Sequence, residues 1–321
     1  MKLFLLILIL SVFLVSCTVE PNNNSRSTAP SPSPSATQQA AATPNASPSP
    51  SPSASQEVLA GPNAIPTDTR VVVNIPAFRM DIFKDGSLVK SYKVGIGTPE
   101  FPLPQGLRTA DTIIFNPTWT VPDEEWAQEM NNVKVGETVE AGSKNNPLGW
   151  FKVPIGLPNL IHGGKAPAKI GTFASHGCVG LTNPQIKDFA MRLAEVTGTD
   201  LNEPDVTEYL KEKTNTKDVK LKETVPVELR YETIVVEDGK LHIYKDVYKQ
   251  NTNTEENLRA VLSKNGMNFD DLPAAQKTQL LKALKTPPKN DVGVEVSAKG
   301  YPAPVELDNG RGKQTRAAAN H

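Results

Sequence analysis

Apolar positions are unevenly spread along the chain, and their spacing changes twice. Residues 3–15 form an almost unbroken apolar run behind Met1-Lys2. The run is shorter than the roughly 20 residues a membrane span needs and fits the apolar core of a signal peptide. Residues 18–66 then carry almost no large apolar side chain, and Ser-Pro repeats fill positions 30–52. Such a stretch cannot bury enough surface to fold, and its prolines favour extended polyproline II. At roughly 3.1 Å per residue it reaches on the order of 140 Å when fully drawn out. A disordered tether is expected.

From Arg70 the pattern becomes short and alternating. Residues 71–75, 80–83, 88–94, 107–115, 150–153, 159–162, 225–231, 233–237 and 240–244 are apolar or β-branched runs broken by Gly, Pro and Asn. Asp85-Gly86 and Asp238-Gly239 are hairpin-turn dipeptides. Helical spacing is sparse. Ile186, Phe189, Ala190, Leu193 and Val196 recur at a helical period between Asn183-Pro184 and Gly198. Asn183 is expected to cap that helix, with Pro184 in its first turn and Gly198 beyond its end. Residues 123–131, 255–264 and 273–285 are further helix candidates, and from Thr286 the chain is polar and turn-rich. The balance predicts a mainly β fold, a sandwich or barrel with a few short helices.

Composition then narrows the chemistry. The net charge of −1 excludes strong attraction to nucleic acid. There are two cysteines, Cys17 and Cys178. Leu14-Val15-Ser16-Cys17 resembles the bacterial lipobox, in which the cysteine becomes the first mature residue and carries acyl chains. Several chains on one residue give stable membrane anchoring. Thr18, rather than Asp, follows it, which leans towards the outer membrane. Cys178 would then be the only thiol of an exported chain, an oxidation hazard better explained by chemistry than by packing.

That thiol stands in a dense stretch. His162-Gly163 is followed by Ser175-His176-Gly177-Cys178 and then Asn183. A thiolate is the nucleophile in covalent catalysis, and a nearby imidazole can generate it. A zinc site is the competing use, but two His and one Cys fall one short of four protein ligands. His242 and His321 are assigned no role, nor is the basic tail of Arg311, Lys313 and Arg316.

Together these residues resemble the signature of the YkuD-type L,D-transpeptidase catalytic domain, bacterial enzymes that cross-link peptidoglycan through a cysteine acyl-enzyme. The likeness extends over about residues 69–248. It includes Asn116-Pro117-Thr118-Trp119-Thr120-Val121-Pro122, Asn146-Pro147-Leu148-Gly149, and the segments around Tyr231 and Asp246-Val247-Tyr248.

The resemblance implies the family's own β fold and no cofactor. It implies stem peptides of peptidoglycan as substrates and carbapenem-type inhibitors. Cys178 would be the nucleophile. His162 would be its base, oriented by the carbonyl of Gly163, and His176 would support the site by hydrogen bonding. Amides near Gly177 and Cys178 would face the oxyanion. Ser175 and Asn183 are candidates to border the substrate, Asn183 with its capping role as the structural alternative.

One departure stands out. The family's motif usually continues with an Arg where this chain has Gly180, and Lys165 or Lys169 is the candidate replacement. The turn at Leu103-Pro104-Gln105-Gly106 also differs from its relatives. The implied organisation is a signal peptide (1–16), a lipidated linker (17–66), a catalytic domain (67–250) and a C-terminal helical extension with a polar tail (251–321). Acyl transfer to water or to a protein lysine would use the same machinery. A non-catalytic wall-binding lipoprotein is the reading from another class.

Overall fold

The computed structural model describes residues 61–305 and 307–311. The apolar leader, Cys17, most of the Ser-Pro stretch, Lys313, Arg316 and His321 lie outside the described residues. β1 (Arg70–Asn74) and β2 (Arg79–Lys84) pair antiparallel. Asp85 and Gly86, with φ of 47° and 78°, turn β2 into β3 (Ser87–Lys93). That left-handed pair is what a two-residue hairpin needs and what Asp-Gly supplies.

β4 (Ile96–Gly97), β5 (Gly106–Phe115), β6 (Trp119–Thr120), α1 (Glu125–Gln128) and β7 (Thr138–Val139) follow. Then come β8 (Phe151–Pro154), β9 (Leu160–His162), β10 (Phe173–Ser175) and β11 (Val179–Gly180). α2 (Asn183–Val196) and α3 (Glu203–Lys211) lead into β12 (Lys217–Arg230).

Eight of these strands form one sheet in the order β11-β9-β8-β5-β12-β1-β2-β3. β12 is its hinge in space, antiparallel to β5 and parallel to β1. Two residues beyond β3, Gly95 exchanges two 2.8 Å backbone hydrogen bonds with Gly180 of β11. The two outer ends of the curled sheet thus meet, and the mainly β expectation holds. The core inside the curl includes Val71, Val73, Ile82, Tyr92, Phe115, Phe151 and Val227. α2 seals it with Ile186, Phe189, Ala190 and Leu193, all fully buried.

Asn183 does not cap α2. Thr182 does: its hydroxyl accepts from Gln185 N–H while the Gln185 side chain accepts from Thr182 N–H. This reciprocal box satisfies two amide groups at once, which a cap at Asn183 would not. α1 is also shorter than expected, with only Ala127 buried. A third cluster, Trp119, Val121, Ala127, Val133, Val139 and Leu148, holds this stretch together beside the site.

β13 (Ile234–Glu237) and β14 (Lys240–Ile243) form a hairpin that, with α4 (Glu255–Lys264) and α5 (Ala274–Lys285), builds a second core. The stretch after Thr286 is not a polar tail alone. Val292, Val294 and Val296 alternate into that second core. Tyr301 is buried against Phe83, and Asp308 bonds the backbone of Ser91 and Lys93 along the outer edge of β3. The end of the presumed linker is likewise engaged. Asn63 bonds Glu232 and Ile234, and Ala64 O accepts from Arg230.

Candidate active site

β9 and β11 are parallel neighbours, with Gly180 opposite His162 and Val179 opposite Ile161. Cys178 is the residue that enters β11. The thiol and the imidazole are therefore delivered by two adjacent strands at the join of the curled sheet, on rigid backbone rather than on a free loop.

His162 is buried, and its Nδ1 lies 2.8 Å from Gly163 O. A carbonyl only accepts, so Nδ1 carries the proton and Nε2 presents a lone pair. Burial, and then the charge of Lys165, push this imidazole down to about 3. It is neutral at ordinary pH. The loop that carries Gly163 is strapped by Asn183, whose Oδ1 accepts from Trp150 N–H and Gly164 N–H, both at 3.0 Å. Asn183 is thus spent on orienting the backbone around His162 and does not border a substrate through that oxygen.

Cys178 is half-buried. Gly177, at φ +92°, makes the turn that presents it, a conformation other residues rarely adopt. Asn159 Nδ2 donates to Gly177 O at 2.6 Å and fixes that turn. Gly97 is also obligatory: a Cβ there would stand 2.2 Å from Phe101 O and 2.9 Å from Gly177 N.

Ser175 is buried and faces inward. Its Oγ donates to Cys178 O at 2.6 Å and accepts from Cys178 N–H at 3.1 Å. So Ser175 clamps the Cys178 backbone with its hydroxyl instead of bordering a substrate. The Cys178 amide is engaged and is no oxyanion donor in this arrangement. Among the described residues the Gly177 N–H makes no hydrogen bond.

The thiol itself lies 4.0 Å from Pro158 O, and among the described residues no hydrogen bond joins it to His162. Burial pushes its titration up, while the Leu160 backbone and Lys165 pull it down.

His176 has a different role from the one expected. It makes no hydrogen bond among the described residues; it stacks face to face on Trp126 at 4.1 Å and meets the ring of Phe101 edge-on at 5.2 Å. Trp126 in turn stacks on Trp119. Burial, then Lys165, lower its basicity. An uncharged imidazole between two aromatic rings is a wall of the cleft, stabilised by offset and edge contacts.

No site role was expected for Asn159, read only as part of a strand, or for Tyr248, read only as part of a C-terminal segment. The Tyr248 hydroxyl donates to Gly97 O at 2.9 Å and accepts from Leu103 N–H at 3.1 Å, which holds the altered 103–106 turn near Gly177. Among the described residues no group of three or more His, Cys, Asp or Glu is arranged to hold a metal ion.

Comparison with known proteins agrees with this architecture. Residues 68–216 match the YkuD family, described as the L,D-transpeptidase catalytic domain. The probable L,D-transpeptidase ErfK/SrfK of Escherichia coli K12 is 32% identical over 122 residues, 36% of this chain and 38% of that protein. The probable L,D-transpeptidase YbiS of the same strain is 30% identical over 119 residues, 36% and 39% of the two chains. The match thus spans little more than a third of either relative.

The solved Ldtfm–avibactam carbamoyl enzyme is 17% identical over 51% of this chain and 49% of that one, with a TM-score of 0.32. A likeness that distant carries no weight beyond the sequence matches. The family whose motif the sequence resembles is thus the one whose model matches residues 68–216, the YkuD L,D-transpeptidase catalytic domain.

Proposed function

We propose that the domain is a cysteine L,D-transpeptidase that cross-links peptidoglycan stem peptides through an acyl-enzyme on Cys178. The observation that carries the reading is the strand pair that delivers Cys178 beside β9, where the Gly163 carbonyl leaves His162 Nε2 free to accept a proton. In the first half-reaction the Cys178 sulfur attacks the carbonyl of the third residue of a stem tetrapeptide. The thiol proton passes to His162 Nε2 as the C–S bond forms. The oxyanion faces the Gly177 N–H, a donor of a kind typically worth a few kcal/mol in the transition state. Collapse breaks the C–N bond, and the D-alanine amine leaves with the proton from His162. In the second, the amine of another stem attacks the thioester, gives its proton to His162 and expels the thiolate, which recovers that proton. The neutral imidazole suits a base that acts only as the bond forms.

The test is mass spectrometry of the protein after exposure to a carbapenem, with Cys178→Ala alongside. We expect a covalent adduct on the wild type and none on the variant. Lack of any adduct on the wild type would leave a wall-binding module as the better reading. Muropeptide analysis of products then separates transfer to a stem amine from transfer to water or to a protein lysine.

The same reading includes export and lipidation of Cys17, with the Ser-Pro stretch as a spacer from the envelope membrane. Radiolabelled palmitate should enter the wild type and be lost in Cys17→Ala; equal labelling of both would remove the anchor.

A further inference from the structure

A neutral His162 leaves a question that the acyl-enzyme reading does not answer: which cation stands opposite the Cys178 thiolate. In many cysteine enzymes that cation is the imidazolium itself. Here burial opposes it. The remaining cation of the cleft is Lys165, two residues beyond Gly163. Its backbone N–H is fixed to Leu181 O at 3.0 Å. Its side chain runs across the face of Gly180, with Cγ and Cε each 2.8 Å from the point that a Cβ on Gly180 would occupy. Gly180 is therefore the groove in which the lysine stem lies, directly beside the strand that Cys178 enters.

We propose that the Lys165 ammonium is the counter-ion of the Cys178 thiolate, delivered over Gly180 from the 163–169 loop. The groups that face it are His162 from β9, His176 and Cys178 from the β10–β11 turn, and Lys169 from its own loop. No carboxylate joins them: among the described residues Lys165 forms no ion pair with an acid. A half-buried ammonium without an acid is costly unless it serves an anion that is itself transient. The thiolate is that anion. The same charge discourages protonation of His162 and offsets part of the burial that raises the thiol, so one lysine bears on both the base and the nucleophile. The cation that Gly180 cannot supply thus enters from the opposite side of the pair.

This inference rests on Cys178 being the nucleophile of the proposed function, but its test does not need the transfer reaction. Iodoacetamide, a neutral reagent, is reacted with the full chain across pH, and alkylation is read on the Cys178 peptide by mass spectrometry. Lys165→Met keeps the stem on Gly180 and removes the charge; Lys165→Arg keeps the charge. For Lys165→Met the midpoint of the profile should rise by about one pH unit, with alkylation at pH 7 slowed about tenfold. Lys165→Arg should restore most of it. An unchanged midpoint in Lys165→Met overturns the proposal. So does an equal rise in both variants, which would trace the effect to packing. A wild type that shows the shift yet takes no carbapenem would retire the transferase and leave the counter-ion standing.

Discussion

Two of the clusters in which ionisable groups are withdrawn from water are built on opposite plans. One lies where β2 meets the C-terminal segment. Arg79 gives Nε to Asp81 and Nη1 to Glu237, both at 2.8 Å, and Nη2 to Pro302 O at 3.1 Å. Asp81 also accepts from Ser91 at 2.5 Å and from Tyr301 at 3.0 Å. Each charge is met by the opposite charge and by hydrogen bonds. The other cluster is Cys178, His162 and Lys165, in which two bases and a thiol influence one another and, among the described residues, no acid pairs with them. The first arrangement ties a returning chain to the sheet. The second withholds a partner, so its groups stay responsive to an incoming molecule. A buried charge that is fully paired is architecture; one left unpaired is reactivity held ready.

The contrast can be broken most sharply at Asp81. Asp81→Ala leaves Arg79 buried with part of its charge unanswered and should cost about 3–5 kcal/mol in denaturant unfolding. A loss below about 1 kcal/mol would mean the network is not the fastening described. Next comes the pH dependence of the site. His162 is held at about 3 when folded, against an ordinary value near 6.5. The unfolded chain binds a proton that the folded chain refuses. Stability is therefore intact above about 6.5 and falls as pH drops towards 3, by about 1.4 kcal/mol per unit from this group. His162→Gln should remove that share of the slope, so unfolding of the two proteins between pH 6 and pH 5 gives the comparison; parallel slopes would contradict a neutral buried imidazole. The smallest effect is expected at Lys165. Lys165→Met breaks no ion pair and should change stability by less than about 1 kcal/mol, while its thiol titrates differently.

Much of the sheet was legible because its signals are local. Val71, Val72 and Val73 announce β1, and Asp85-Gly86 dictates its turn whatever surrounds it. His162, His176 and Cys178 were singled out from residue types at fixed spacing, and the fold brings His162 and Cys178 onto neighbouring strands. What escaped was whatever a distant partner defines. β10 and β11 are only two or three residues long and exist because β4 and β9 pair with them. α3 carries a full capping box at Asn202 and Asp205, yet Val206 is its one buried residue, so no apolar period marks it. Val292, Val294 and Val296 do alternate, but Gly and Pro around them outweighed three residues. By resemblance His176 was expected to support the site through hydrogen bonds and Ser175 to border the substrate; the ring found Trp126 and the hydroxyl found the Cys178 backbone, both contacts that spacing cannot foresee. Lys165 and Lys169 were equal candidates beside Gly180, and the path of the Lys165 stem across that glycine separates them.

The central position of β12 has a consequence for where this chain can be cut. The family match stops at residue 216, one residue before β12 begins. Remove β12 and the sheet loses the strand between β5 and β1, leaving a group of four strands and a group of three whose ladders meet at Gly95 and Gly180 and, beside them, where β4 pairs with β10. Phe101 follows β4 and Cys178 precedes β11, so the cleft between them depends on the two groups staying together. A nascent chain that ends at 216 would thus own every letter of the motif and no cleft in which to spell it.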